Sequence, residues 1–512
     1  MYKKDILSWD MVDALAALRQ KNISATELTQ TYLDEIALKN ETWHAYITLT
    51  EKTAMDSAKK ADTKLAANEK DGGDLLGLPL AIKDLFSTKD IYTTAGSKIL
   101  ADYIPPYEST VTQKLWDAGG VMLGKTNMDE FAMGSTTSTG YHREKKKIVA
   151  AVNPYSKNVG DAALTAGGSS GGSAVAVAGQ MAVAGIGSDT GGSIRQPCAL
   201  TGLVGVKPTY GRCSRYGMVA FASSLDQAGV MTRSVRDSAL MLSVIAGYDE
   251  KDSTSANMPV PKDMWRRAVE KGQGEGLKDL RVLYFYDDKA TNPALSVTSV
   301  LANHDAKKTL GASTLEPFQF DAEFQAALAT YYIIAPAEAS SNLSRYDGVR
   351  YGFRSGGKNL HELYENTRHD GFGDEVKRRI LIGSYVLSAG YYDAYFKKAQ
   401  QVRRKIAEKF SKLFQNYDMI VLPATPNSAF LLNQHRADPT EIYLQDFFTI
   451  PTSLAGLPAG VVPFGYKAGD LPIGLQIISK YYREDILLQA MAAFETYHKN
   501  ISPPQPYPSL MA

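Results

Sequence analysis

Gly167-Gly-Ser169-Ser-Gly-Gly-Ser173, followed by Gly187-Ser-Asp-Thr-Gly191-Gly192-Ser193-Ile-Arg195, decides how the rest of the chain is read. Two clusters rich in glycine and serine invite the reading of a flexible linker. The residues between them, Ala174 to Ile186, are mostly Ala, Val and Gly, so both clusters belong in a packed core. Glycine there permits backbone conformations and close approaches that a side chain forbids. A turn at Thr190-Gly-Gly-Ser193 can aim consecutive backbone N–H groups at one point, as an oxyanion hole does, with a serine closing it. A purely structural turn competes evenly with that reading.

Outward from these clusters, Gly77 to about Ala246 keeps short apolar runs and many glycines, alternating with helical patterns. This predicts an α/β fold around a buried sheet. The first fifty residues read as helices, with Ser24 and Glu27 as a capping box and Leu28, Tyr32, Leu33 and Ile36 on one face. A polar helix from about Ala54 to Glu69 ends in the loop Asp71-Gly-Gly-Asp74. Residues 250–315 are more polar and less patterned, a peripheral segment. Long helices follow at Glu375 to Ser388 and Tyr391 to Phe414, and strands at Met419 to Pro423 and Leu475 to Ile478. Pro503-Pro-Gln-Pro506 reads as extended chain. With no repeat and no long linker, the expectation is a helical segment over 1–75 packed on one large domain over 76–495, then a tail over 496–512.

A formal net charge of +1 over 512 residues leaves no overall basic field for holding nucleic acid. The densest basic run, Arg143 to Lys147, reads as a solvated loop. Two cysteines, Cys198 and Cys213, build no disulfide framework and fit a reducing compartment. Scattered histidines show no metal-ligand spacing, so no metal is expected. The N-terminus lacks a signal-peptide core, and the most apolar stretch, Ala174 to Ile186, is too short and small-sided to span a bilayer. The expectation is a cytoplasmic globular protein with no membrane contact.

Two motif matches mislead. Gly119-Gly-Val-Met-Leu-Gly124-Lys125-Thr126 fits the letters of a phosphate-binding P-loop, but a helix pattern precedes it and Val121 to Leu123 looks like a strand inside the supposed loop. Ser57-Ala-Lys-Lys60 matches SxxK on a polar helix without the accompanying elements. A serine nucleophile needs a base. The histidine nearest the clusters, His142, lies beside the charged loop, although a triad assembled in space stays open. Lys83 ends the apolar run Gly77-Leu-Pro-Leu-Ala-Ile82, where desolvation lowers an amine's pKa and frees it to take a proton. A lysine snorkelling from a strand end reads equally well for this residue alone.

Gly-Gly-Ser169-Ser170-Gly-Gly, Gly191-Gly-Ser193-Ile-Arg195 and Gly-Leu-Pro-Leu-Ala-Ile-Lys83-Asp84 together resemble the amidase signature family, densely from about Gly77 to Gly247. The resemblance implies a single α/β/α domain with a mixed central sheet covered by helices on both faces. It implies Ser193 as acyl-forming nucleophile, Ser169 as proton relay after a cis peptide bond, and Lys83 as base. Thr190, Gly191, Gly192 and Ser193 would supply the oxyanion hole, with Asp189 and Arg195 as structural partners of the turn. One departure lies after Met133-Gly-Ser135, where Thr136-Thr-Ser-Thr139 runs into the basic segment and then Val159 to Thr165. It bears on loop shape and any substrate contact near Ser135.

Tyr331 to Gly352, Glu375-Val-Lys-Arg-Arg379-Ile and Gly390-Tyr-Tyr-Asp-Ala-Tyr395 closely resemble one branch of that family, the glutaminase subunits of the glutamyl-tRNA(Gln)/aspartyl-tRNA(Asn) amidotransferases. That resemblance implies free glutamine as substrate, its carboxylate on Arg379, its ammonium on Asp446, and Tyr331 lining the pocket. It implies no cofactor in this chain, ATP and Mg²⁺ in a partner B subunit, a C subunit completing a heterotrimer, and tRNA met only through the complex. The alternatives are a free-standing amidase of another small amide, a P-loop nucleotide-binding protein using Lys125, and a catalytically inactive assembly subunit.

Overall fold

Lys83 closes a wholly buried strand, and the sheet grows outward from it. The computed structural model describes residues 3–67, 73–159, 162–287, 298, 301, 304–432, 434, 439–467 and 471–501. The strands begin with β1 (Tyr46–Leu49), β2 (Pro79–Lys83), β3 (Val121–Thr126), β4 (Tyr141–His142), β5 (Lys147–Ile148), β6 (Ala184–Asp189) and β7 (Val204–Lys207). They continue with β8 (Gln227–Thr232), β9 (Arg281–Phe285), β10 (Thr314–Phe318), β11 (Met419–Pro423), β12 (Ala459–Lys467) and β13 (Leu471–Ser479). Among the described residues, eleven of these form one mixed sheet in the order β1-β3-β2-β6-β8-β7-β12-β13-β11-β9-β10, while β4 and β5 make a separate hairpin.

β2 runs parallel to both neighbours, with Leu80, Ala81 and Ile82 level with Ala184, Gly185 and Ile186 of β6. The two strands therefore end side by side, and the turns that follow Lys83 and Asp189 emerge at the same edge of the sheet. A crevice outside the carboxyl ends of parallel strands is where open α/β folds place ligands. The helix Gly171–Ala178 is buried along its whole length, and its small side chains let it lie close over β6.

Several expectations are corrected. The first fifty residues are not all helical: Tyr46–Leu49 pairs antiparallel with β3 as an edge strand. The polar helix runs Glu51–Ala66, and residues 68–72 of its expected end lie outside the described residues. The stretch 250–315 is more ordered than its polarity suggests, since it holds the helix Lys262–Glu275 and β9, which pairs with β11 inside the sheet. The helix expected from Tyr391 begins as a π-helical turn over Asp393–Lys397 and continues as Lys398–Asn416. The tail expected from residue 496 starts later, because Glu484–Ile501 is one helix; the remainder, including Pro503-Pro-Gln-Pro506, lies outside the described residues. Among the described residues no helix is long and apolar enough to cross a membrane.

The P-loop lookalike resolves into the helix Thr110–Asp117, a turn, and β3. Lys125 is wholly buried in that strand, donates to Phe86 O at 2.7 Å and Thr93 Oγ1 at 2.8 Å, and pairs with Asp84 at 3.3 Å. A side chain so engaged has no means of reaching a phosphate. The SxxK match sits on the helix Glu51–Ala66 with Lys60 exposed.

Candidate functional site

The Lys83 amine is wholly buried and donates to three serine hydroxyls, Ser169 Oγ at 2.7 Å, Ser170 Oγ at 2.8 Å and Ser188 Oγ at 2.9 Å. Burial pulls its pKa down to about 7, against the opposing pull of the Asp129, Asp189 and Asp226 carboxylates. Near neutrality a large share of the amine is therefore uncharged. A neutral amine keeps two N–H donors and gains a lone pair, so one of its three hydroxyl neighbours must donate to it. Ser170 already donates to Ser188 O at 3.1 Å, which leaves the hydroxyls of Ser169 and Ser188 able to be that donor.

Ser169 follows a cis peptide bond at Gly168–Ser169. Its turn is gripped from two sides: Gly168 N–H donates to Gln196 Oε1 at 2.8 Å, and Ser169 O accepts the Asp129 N–H at 3.3 Å. Asp129 in turn accepts the N–H groups of Thr136, Thr137 and Ser138 at 3.2, 2.8 and 3.1 Å, and the Thr139 hydroxyl at 3.0 Å. The threonine- and serine-rich loop Thr136 to Thr139 is thus wound around one buried carboxylate.

Ser193 lies at the end of the Asp189 turn, 7% exposed, and its carbonyl accepts the Ser170 N–H at 3.2 Å. Backbone pairing joins the two serine turns directly. Asp189 and Arg195 form a wholly buried bidentate pair, with Nε to Oδ2 at 2.9 Å and Nη2 to Oδ1 at 2.8 Å. Arg195 also donates to Thr449 O, Gln476 Oε1 and Ser453 Oγ at 2.9, 2.6 and 2.7 Å, tying the turn to β13 and to the helix Ile450–Ala455. Thr190 hands its hydroxyl to Asp226 Oδ1 at 2.7 Å.

The two glycines of the turn are where it meets Tyr331, Thr449 and Asp446. A Cβ on Gly191 would lie 2.8 Å from the Tyr331 ring and 2.9 Å from its hydroxyl oxygen. One on Gly192 would lie 2.4 Å from Thr449 Oγ1 and 2.8 Å from Asp446 Oδ1. Gly192→Ala is therefore expected to displace Asp446 and cut turnover by roughly a hundredfold while leaving a folded protein, checked by steady-state kinetics beside a thermal melt.

Asp446 accepts the Ser135 hydroxyl on Oδ2 at 2.6 Å, while its buried Oδ1 has no hydrogen-bonding partner among the described residues. Burial raises this carboxyl to about 7. An unsatisfied buried carboxylate oxygen is costly unless a cation arrives to meet it. Arg379 is 3% exposed, held by Glu375 Oε1 at 2.8 Å and caged by the rings of Phe221, Tyr332 and Tyr443 at 5.3 to 5.5 Å. Its terminal guanidinium nitrogens have no hydrogen-bonding partner among the described residues. Tyr332 stacks on Tyr443 at 4.0 Å and meets Tyr331 edge-on at 5.1 Å, so the cage is continuous with the residue beside Gly191.

A chain of contacts runs from Lys83 and Ser169 through Ser170 to the Ser193 turn, from Gly191 and Gly192 to Tyr331 and Asp446, and from Tyr331 through Tyr332 to Arg379. Lys125, Ser57 and Lys60 lie apart from it in their own surroundings. Sequence reasoning missed Ser170 and Ser188 as contacts of the lysine, Asp129 as organiser of the loop, and Glu375 with the ring cage around Arg379. Ser188 was legible in principle, since alternation along β6 sets it and Ile186 on one face. Among the described residues no group of three or more His, Cys, Asp or Glu is placed to hold a metal ion.

The family described as Amidase matches residues 27–488. The A-subunit of glutamyl-tRNA(Gln) amidotransferase from Parvibaculum lavamentivorans is 48% identical over 492 residues, covering 96% of both chains. That of Rickettsia bellii is 48% identical over 496 residues, covering 96% of this chain and 97% of its own. Among solved structures, the A-subunit of glutamyl-tRNA(Gln) amidotransferase from Thermotoga maritima superposes with a TM-score of 0.73 at 36% identity, covering 100% of this chain and 98% of its own. The native peptide amidase of Stenotrophomonas maltophilia gives a TM-score of 0.78 at 27% identity, over 98% of each chain.

Proposed function

The chain belongs to the amidase family, and from that premise we propose that it is the glutamine-hydrolysing A-subunit of a tRNA-dependent amidotransferase. The observation that carries this reading is the buried Asp446 Oδ1, which has no hydrogen-bonding partner among the described residues, together with an Arg379 guanidinium held by Glu375 through Nε. A free amino acid brings one ammonium and one carboxylate, and burying either unpaired is expensive. Glutamine satisfies both ends and presents its side-chain amide to the serines.

Uncharged Lys83 takes the Ser169 proton while Ser169 takes that of Ser193, whose Oγ attacks the amide carbon. The N–H groups of Thr190, Gly191, Gly192 and Ser193 receive the developing oxyanion. The proton returns through Ser169 to the leaving nitrogen, ammonia departs, and a glutamyl ester remains on Ser193. Water attacks that ester with the same lysine as base, releasing glutamate.

The relatives' role supplies the rest of the proposal: the ammonia serves a partner B subunit that activates misacylated Glu-tRNA(Gln), Asp-tRNA(Asn) or both with ATP and Mg²⁺. A small C subunit completes the heterotrimer, in the cytoplasm, and this chain itself requires no cofactor. Arg379→Ala is expected to raise KM for glutamine roughly a hundredfold, since it removes a charge-assisted bidentate contact, while sparing a small uncharged amide. Equal loss on both substrates would favour a free-standing amidase with another specificity. Ammonia release measured with and without partner subunits decides whether this chain works alone.

A further inference from the structure

Arg379 stands in the second turn of the helix Asp374–Leu387, and the N-cap of that helix, Gly373, has no side chain of its own to fix its entry. The fixing comes from elsewhere. Glu130, a buried glutamate 243 residues upstream, accepts the Gly373 N–H on Oε2 at 2.8 Å and the Ser97 hydroxyl on Oε1. Its neighbours bind the other half of the crevice. Asp129 holds the Thr136 to Thr139 loop and the carbonyl of Ser169, and Phe131 packs on Phe372 at 5.7 Å, one residue before the helix cap. Asp129 is extended, with φ of −65° and ψ of 142°, so its side chain and that of Glu130 leave opposite sides of the chain; Phe131 and Ala132 then adopt left-handed backbone, with φ of 50° and 61°.

We infer that Glu130 is a positioning residue for substrate recognition: its carboxylate clamps the start of the Arg379 helix to the segment that holds the relay-serine turn, and so sets the distance between the guanidinium and the catalytic serines. The clamp rests on the reading of Arg379 as the glutamine-carboxylate site. It explains why a glutamate is buried here with hydroxyl and amide donors rather than a cation in contact with it. Both carboxylate oxygens are occupied by neutral donors, the Gly373 N–H at the start of the Arg379 helix and the Ser97 hydroxyl, which fixes the carboxylate from its other side. Productive substrate geometry tolerates little error, since a misplacement of about 1 Å costs on the order of a hundredfold.

The test is a split of kinetic constants on the full chain, assayed for glutamine and for a small uncharged amide. Glu130→Ala is expected to raise KM for glutamine about tenfold while kcat for both substrates stays within about threefold. Glu130→Gln, which keeps an oxygen to accept the Gly373 N–H, should restore most of the lost affinity. Gly373→Ala attacks the clamp from its other side, because the added Cβ would lie 2.5 Å from Glu130 Oε2. It should reproduce the KM shift, and the double variant Glu130→Ala with Gly373→Ala should add nothing further. A parallel fall in kcat on both substrates, or an unchanged KM for glutamine in Glu130→Ala and Gly373→Ala, overturns the inference. If Arg379→Ala itself leaves the glutamine KM unchanged, the substrate reading fails first. If Arg379→Ala shifts it and Glu130→Ala does not, only the clamp fails.

Discussion

Ser193→Ala removes ammonia release from glutamine by a factor on the order of 10⁴ or more, with the protein still folded and still binding glutamine. The serine is 7% exposed at the end of a turn fixed by the Asp189–Arg195 pair, so losing one oxygen disturbs no hydrogen bond that holds the fold. What disappears is the nucleophile. Binding survives because Asp446 and Arg379 lie on other elements, and it is readable as glutamine-dependent protection against thermal unfolding. A variant that keeps wild-type turnover sinks the assignment of Ser193, and one that loses both turnover and glutamine protection points to a damaged turn.

The second large effect belongs to the base. Lys83→Met retains an apolar stem in the β2 position but no amine, and is expected to lower kcat by roughly 10³- to 10⁴-fold. The pH profile makes the test sharper than the magnitude. The wild-type lysine titrates at about 7, and its protonated form is the inactive one, so kcat/KM should rise with pH through about 7 and level off above it. In the variant that limb should vanish, whatever rate remains. Asp446 also titrates at about 7 and binds substrate only when ionised, so it steepens the same rising limb. Its contribution is separable because Asp446→Asn should change KM for glutamine and leave the kcat limb in place. A bell falling above pH 7 in the wild type would contradict an uncharged lysine as base.

Local pattern shows which parts of this were legible in the sequence. Lys83 stood out because an apolar run ends on a charge, and the serines because glycine clusters flank an Ala/Val-rich core segment. Those signals are local and follow from burial. The joining of Lys83 to Ser169 spans 86 residues, and that of Ser135 to Asp446 spans 311, so pattern alone carries neither. Family resemblance implies the first pairing, and the second appears only in the structure. Asp129 and Glu130 carry no local signal because adjacent acidic residues ordinarily mark a solvated face, whereas here the extended backbone at Asp129 sends them to opposite sides of the chain and into separate buried networks. Tyr46–Leu49 is too brief between two helices to show a strand pattern of its own, and β9 is masked by the polar sequence around it. The helix Glu484–Ile501 outran its expected end because Glu495 and His498 are buried in it although polar.

The central claim is that Ser193 carries the glutamyl group between loss of ammonia and attack of water. Isotope-labelled glutamine is mixed with the protein, quenched in acid within the first turnover, and the digest mapped by mass spectrometry. The account predicts an alkali-labile glutamyl ester on the peptide containing Ser193, absent from Ser193→Ala and slow to form in Lys83→Met. A glutamyl adduct on Ser169 or on any other residue would contradict it.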